Sequence, residues 1–150
     1  MKHAALAPLL AGALLAACAT SAPKEPAASD VEAFMKRYTE VWNTHDNAAI
    51  ARDFYRTGPS VEEQTAMLGR SFESLRAQGY HHSDIHEIKG CITGPDTAFA
   101  AMKYSRLKAD GEPPPPKDRA SSYDLTLFED GWRIVKLNSY DAAKPLACPE

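Results

Sequence analysis

The stretch SDVEAFMKRYTEVWNTHDNAAIARDFY, residues 29–55, restricts the fold more than any other part of the chain. Val31, Phe34, Met35, Tyr38, Val41 and Trp42 recur at intervals of three and four, which gathers apolar groups on one face of a helix, while Glu32, Lys36, Arg37 and Glu40 fall opposite. Ser29 and Glu32 have the spacing of a capping box, in which each side chain satisfies a backbone N–H that the first turn leaves free, so the helix is expected to start there. A helix this amphipathic is unstable alone in water. Something downstream must cover Phe34, Tyr38 and Trp42.

Asp46 is placed to cap a second helix over residues 47–55, with Ala48, Ile50, Ala51 and Phe54 as its apolar part. Thr57-Gly58-Pro59 breaks it, and Ser60 with Glu63 is another capping-box spacing. Val61, Thr65, Leu68, Phe72 and Leu75 then repeat at helical intervals as far as Gly79, a suitable C-terminal stop. From Ser83 the period changes: residues 83–93, 97–108, 119–129 and 132–140 read as strands. Pro113, Pro114, Pro115 and Pro116 stiffen the loop between the second and third of these. Asp130-Gly131 favours a two-residue turn and predicts the register Glu129 with Trp132, Leu127 with Ile134, Leu125 with Lys136, and Tyr123 with Asn138, all on the core face.

With 150 residues the chain has room for one core rather than two, and its net charge of −3 lacks the basic excess with which a nucleic-acid binder neutralises phosphates. Residues 1–17 read as a secretory signal peptide: Lys2 and His3, an apolar run, then small residues. Leu15-Ala16-Ala17-Cys18 resembles the bacterial lipobox. That resemblance implies that Cys18 is acylated and becomes the mature N-terminus, and that Ala19, not being Asp, sends the protein to the outer membrane, facing the periplasm. A plain signal peptide leaving a free Cys18 thiol is the alternative. Residues 18–28, rich in Ala, Pro and small polar groups, read as a disordered tether, with the domain at 29–143 and a tail at 144–150. Once Cys18 carries lipid, Cys91 and Cys148 remain in a compartment where disulfides persist, and a bond between them is expected; two unpaired thiols are the alternative.

Helices first and an antiparallel sheet after make an α+β layout. The runs YTEVWNTHDNAAIARDFY, GYHHSDIHEIKGCITGPDTAFAAMKYSRLKADG and YDLTLFEDGWRIVKLNSYD, with the capped third helix, resemble the SnoaL-like, nuclear transport factor 2-like domains over residues 30–141. The resemblance implies a cone-shaped, cystatin-like α+β barrel, in which three N-terminal helices pack in a strongly curved antiparallel sheet whose interior is a pocket. Relatives include isomerases, dehydratases and polyketide cyclases that rely on a pocket Asp or His, as well as members with no known catalysis. No catalytic triad of those enzymes maps onto this chain residue by residue, and no cofactor is implied.

Tyr123, Lys136, Asn138 and Tyr140 continue the core face of the last hairpin away from its turn, and Tyr104 and Arg106 alternate with Met102 on the preceding strand. Polar groups on an otherwise apolar face orient a ligand, so these residues, with Tyr38 and Trp42, are the candidate pocket lining. The plain alternative is a hairpin end that emerges into solvent. His82-x-Asp84-x-His86, beside His81, sets two imidazoles and a carboxylate on one side of a strand. Residues two apart on a strand are separated by about 7 Å and need another element to close a metal site, so no metal is assigned. His45-Asp46 has acid–base composition, yet adjacent residues point apart and Asp at a helix start is ordinarily a cap. Three functions follow: binding of a small apolar or amphipathic ligand, or of a protein partner, in the cone without turnover; an isomerase, dehydratase or cyclase using Tyr38, Tyr123 or Asp124 as acid or base; or an assembly factor forming a homodimer through the outer face of its sheet.

Overall fold

The computed structural model describes residues 25–149; the signal peptide, the lipobox with Cys18, and most of the expected tether lie outside the described residues. Helix α1, Ala28–Trp42, buries Val31, Phe34, Met35, Tyr38 and Thr39. Its cap is Ala27, which has no side-chain acceptor, and Asp30 in the first turn takes the Ala27 N–H on Oδ2 at 3.0 Å. The expected Ser29–Glu32 capping box does not form, because the helix starts earlier and Glu32 Oε1 is engaged by the Gly90 N–H of the sheet at 3.1 Å. Gly90 is the point of closest approach: a Cβ there would stand 2.6 Å from the Ala28 carbonyl oxygen, so the helix start lies on the strand only where the strand has no side chain.

Helix α2, Asn47–Phe54, is capped by Asp46, whose side chain accepts from the Ala49 N–H at 2.9 Å. Tyr55 then leaves in extended conformation and Arg56 N–H donates to the Ile134 carbonyl at 2.8 Å, stitching the helix pair to the sheet. Helix α3, Val61–Ala77, has the reciprocal capping box of Ser60 and Glu63, at 3.2 and 2.8 Å. Its buried stripe is Gln64, Leu68, Phe72 and Leu75; Val61, at the very start of the helix and ahead of that stripe, is 50% exposed instead of joining the core. Gly79 stops it at a φ of 81°.

Strands β1 His82–Ile92, β2 Thr97–Leu107, β3 Arg119–Phe128 and β4 Gly131–Ser139 form one antiparallel sheet in sequence order. Two bulges bend it: His86 is unpaired between Ile85 and Glu87, and Val135 is unpaired opposite the Asp124–Leu125 step. The predicted hairpin register is corrected. Leu127 pairs with Trp132 and Leu125 with Ile134, because the loop is Glu129-Asp130 and Gly131 already pairs with Phe128. Beyond Val135 the pairs are Asp124 with Lys136 and Tyr123 with Leu137. The single core gathers Phe34, Tyr38, Ile50, Phe54, Phe72, Leu125 and Ile134 between the helices and the inner face of the sheet. Burying each such side chain is worth about 1.5–3 kcal/mol.

Past β4 the tail is held at three places. Cys148 is bonded to Cys91 of β1 with the Cα atoms 5.8 Å apart, Leu146 is buried, and the Tyr140 hydroxyl donates to the Pro145 carbonyl at 2.8 Å while accepting from the Ala147 N–H at 3.3 Å.

Candidate functional site: a cavity between α1 and the sheet

The inner face of β2 brings Met102, Tyr104 and Arg106 in alternation toward α1, and β3 brings Ser121 and Tyr123. With Tyr38, Thr39 and Trp42 of α1, Ser83 of β1 and Leu137 of β4 they enclose a cavity of about 110 Å³. It is graded from floor to mouth. Tyr38, Thr39, Met102 and Tyr123 are buried, Trp42, Tyr104, Arg106 and Ser121 are half-buried, and Leu137 is 51% exposed.

The floor is rigidly bonded. The Tyr38 and Tyr55 hydroxyls lie 2.7 Å apart, and the Tyr38 ring meets Tyr123 edge-on with centroids 5.8 Å apart. Thr39 Oγ1 donates back to the Met35 carbonyl at 3.2 Å, which keeps that hydroxyl from being an orphan in the core. On the wall, Trp42 Nε1–H donates to the Tyr80 hydroxyl at 3.0 Å, and Tyr80 lies 3.0 Å from Ser83 Oγ. Asn43 fixes Ser83 from both sides, accepting its N–H at 2.8 Å and donating to its carbonyl at 2.9 Å. At the mouth the Tyr104 hydroxyl is 3.3 Å from Ser121 Oγ. Burial, reinforced by the neighbouring phenol of Tyr55, holds the Tyr38 hydroxyl well above the ordinary tyrosine range; burial does the same to Tyr123 and pushes Tyr55 up to about 12. All three phenols are therefore neutral at physiological pH and act as hydrogen-bond donors rather than bases.

Of the residues read from the sequence as pocket lining, the structure brings together Tyr38, Trp42, Tyr104, Arg106 and Tyr123. Lys136 and Asn138 are not among them. The extra residue Val135 inverts the alternation of β4, turning Leu137 inward and Lys136 and Asn138 away. Tyr140 is committed to the tail, and with Asn138, Tyr104 and Arg119 it lines an adjoining groove. Thr39, Ser83, Ser121 and Leu137 complete the cavity unforeseen; strict alternation from Tyr123 reaches Ser121, whereas Leu137 is hidden by the bulge.

Asp124 pairs across to Lys136 on the outer face, away from the cavity. His82 Nε2 is 3.6 Å from Asp84 Oδ1, but His86 sits at the other bulge and lies 2.7 Å from Ser105 Oγ, so the alternation that would align the three is broken. Among the described residues no three His, Cys, Asp or Glu side chains converge as a metal site. His45 contacts the His81 carbonyl at 2.9 Å while Asp46 caps α2, so that pair points apart.

The model of the family described as NTF2-like protein (DUF6841) matches residues 27–142. No curated protein matches the chain. Similar solved structures include an NTF2-like protein with a cystatin-like fold from Novosphingobium aromaticivorans, with 16% identity, 73% of this chain and 77% of that chain covered, and a TM-score of 0.56. Aln2 from a Streptomyces species has 13% identity, coverage of 77% and 94%, and a TM-score of 0.58. A cystatin-like domain from Nostoc punctiforme has 16% identity, coverage of 75% and 76%, and a TM-score of 0.57. At these identities the likeness is one of fold.

Proposed function

The chain belongs to the NTF2-like DUF6841 family, and on that premise we propose that it is a lipid-anchored protein of a bacterial envelope whose cavity binds a small amphipathic molecule without turning it over. The observation that carries this reading is the composition of the cavity wall. Hydroxyls and one guanidinium are set into an aromatic lining, with no Asp, Glu or His among the residues that line it. Asp124 faces away, and phenols held neutral by burial do not accept protons near neutral pH, so acid–base turnover of the isomerase or dehydratase kind is not proposed. The anchor is supported by Leu15-Ala16-Ala17-Cys18 and by the disulfide, a bond suited to an oxidising compartment.

Native mass spectrometry of the mature protein, taken from the envelope of the cell that makes it, tests the binding reading. A retained small molecule of defined mass is expected, and the same spectrum gives the oligomeric state. Protein that always flies at its bare mass, or that converts an added compound catalytically, overturns it. For the anchor, labelled fatty acid is expected in the wild type and not in Cys18→Ser.

A further inference from the structure

Resting on that reading of the cavity, we propose that the ligand is a small organic carboxylate, its apolar body lying between Tyr38, Trp42 and Tyr123 and its carboxylate held at the mouth by Arg106 and Arg119. Arg106 ends the inward alternation Met102–Tyr104–Arg106 and lines the mouth half-buried, yet its guanidinium makes no hydrogen bond or ion pair among the described residues. Arg119 is the cross-strand partner of Tyr104. Its Nε is buried with no acceptor, and its Nη2 reaches only the Pro115 carbonyl at 3.4 Å. A buried donor left without an acceptor costs about 1–3 kcal/mol, so Arg119 is a guanidinium whose hydrogen-bonding capacity the folded chain leaves partly unfilled.

The surroundings favour an anion over a neutral group. Burial lowers the Arg119 basicity first and the charge of Arg106 lowers it further, which places the two guanidiniums in each other's field. No carboxylate lines the cavity, and Asp118, on the groove beside Arg119, pairs with neither arginine among the described residues. In a chain of net charge −3, Arg106 on the cavity and Arg119 on the groove that shares Tyr104, Ser121 and Leu137 with it are two uncompensated guanidiniums in each other's field, and together form a local anion site. The planar fork of arginine matches the two oxygens of a carboxylate. The size of the body is set by the space: about 110 Å³ is of the order that takes a single ring, as an apolar cavity of roughly 150 Å³ takes benzene.

Benzoate and its neutral isostere benzamide are suitable probes, titrated into the purified protein with binding followed on the NMR signals of the Trp42 ring. Saturable benzoate binding is expected, with benzamide at least about tenfold weaker. Arg106→Gln should lower benzoate affinity about tenfold and benzamide affinity by clearly less, with a cooperative melt showing that the fold is kept. Arg119→Lys, which keeps the charge and loses the fork, should weaken benzoate more than benzamide. Equal binding of the two probes, indifferent to Arg106→Gln, leaves the cavity reading standing and overturns the carboxylate. Binding of neither probe overturns both.

Discussion

On the turn side of Val135 the β3–β4 hairpin presents Leu125, Trp132 and Ile134 inward, all buried, and Ile134 is bridged to Tyr55. On the other side of Val135 the same two strands present Ser121, Tyr123 and Leu137, and the space they face is hollow. The strands also change composition across this point, from Leu125, Leu127, Phe128, Trp132 and Ile134 on the turn side to Ser121, Ser122, Asp124, Lys136 and Asn138 on the other. One unpaired residue exchanges the parity of β4, and with it Lys136 for Leu137 on the inner face. The bulge therefore decides which β4 residue faces the cavity, while the small Ser121 beside Tyr123 leaves part of its space unfilled.

If the turn half is dry core and the open half a lined space, substitutions should cost very differently in each. Leu125→Ala is expected to lose about 3–5 kcal/mol in a denaturant titration, through lost burial plus the void it leaves. A loss below about 1 kcal/mol would place the void in the wrong half of the hairpin. Next in size is the tail that follows the open half. Cys148→Ser opens a loop closed over a sequence separation of 57, and should cost about 2–4 kcal/mol, read as the difference between unreduced wild type and variant.

Alkali should then distinguish the floor of the cavity from its mouth. A phenol with a raised folded pKa contributes stability that is complete below its unfolded value, near pH 10, and is lost as pH rises toward the folded value, about 12 for Tyr55. Within that window stability should fall by about 1.4 kcal/mol per pH unit for each phenol that titrates only in the unfolded chain. Tyr55→Phe should flatten part of the slope, and a slope unchanged by the variant would mean that Tyr55 is solvated. The smallest effect is expected at the mouth. Leu137→Ala, at a position already 51% exposed, should change stability by less than about 0.5 kcal/mol while altering probe binding on the Trp42 signals.

The difference between the halves also marks where the sequence is readable. Helical spacing placed Phe34, Tyr38, Phe72 and Leu75 in the core, and period-two alternation placed all four strands to within about a residue at each end. Tyr38, Trp42, Tyr104, Arg106 and Tyr123 can be grouped from sequence spacing alone, since each lies on an unbroken helix or strand segment. Leu137, Lys136 and Asn138 could not, because Val135 carries no local mark of being a bulge: its β-branched side chain suits a regular strand equally well. The cap of α1 failed for a related reason. Ser29–Glu32 satisfies the local pattern, but Glu32 has a stronger claim from the Gly90 N–H, 58 residues away, and sequence spacing carries no information about such a partner.

The meeting of α1 with Gly90 also decides where the ends of the described chain lie. Ala28 rests on Gly90, and the next residue, Cys91, is fastened to Cys148, so both ends of the described chain are gathered at one end of β1. Ser83, on the wall of the cavity, lies at the other end of that strand, seven residues from Gly90, or roughly 23 Å at the ordinary strand rise. The ends of the described chain thus lie remote from the part of the cavity wall that Ser83 builds, so the disulfide and the start of α1 are fastened away from the lining.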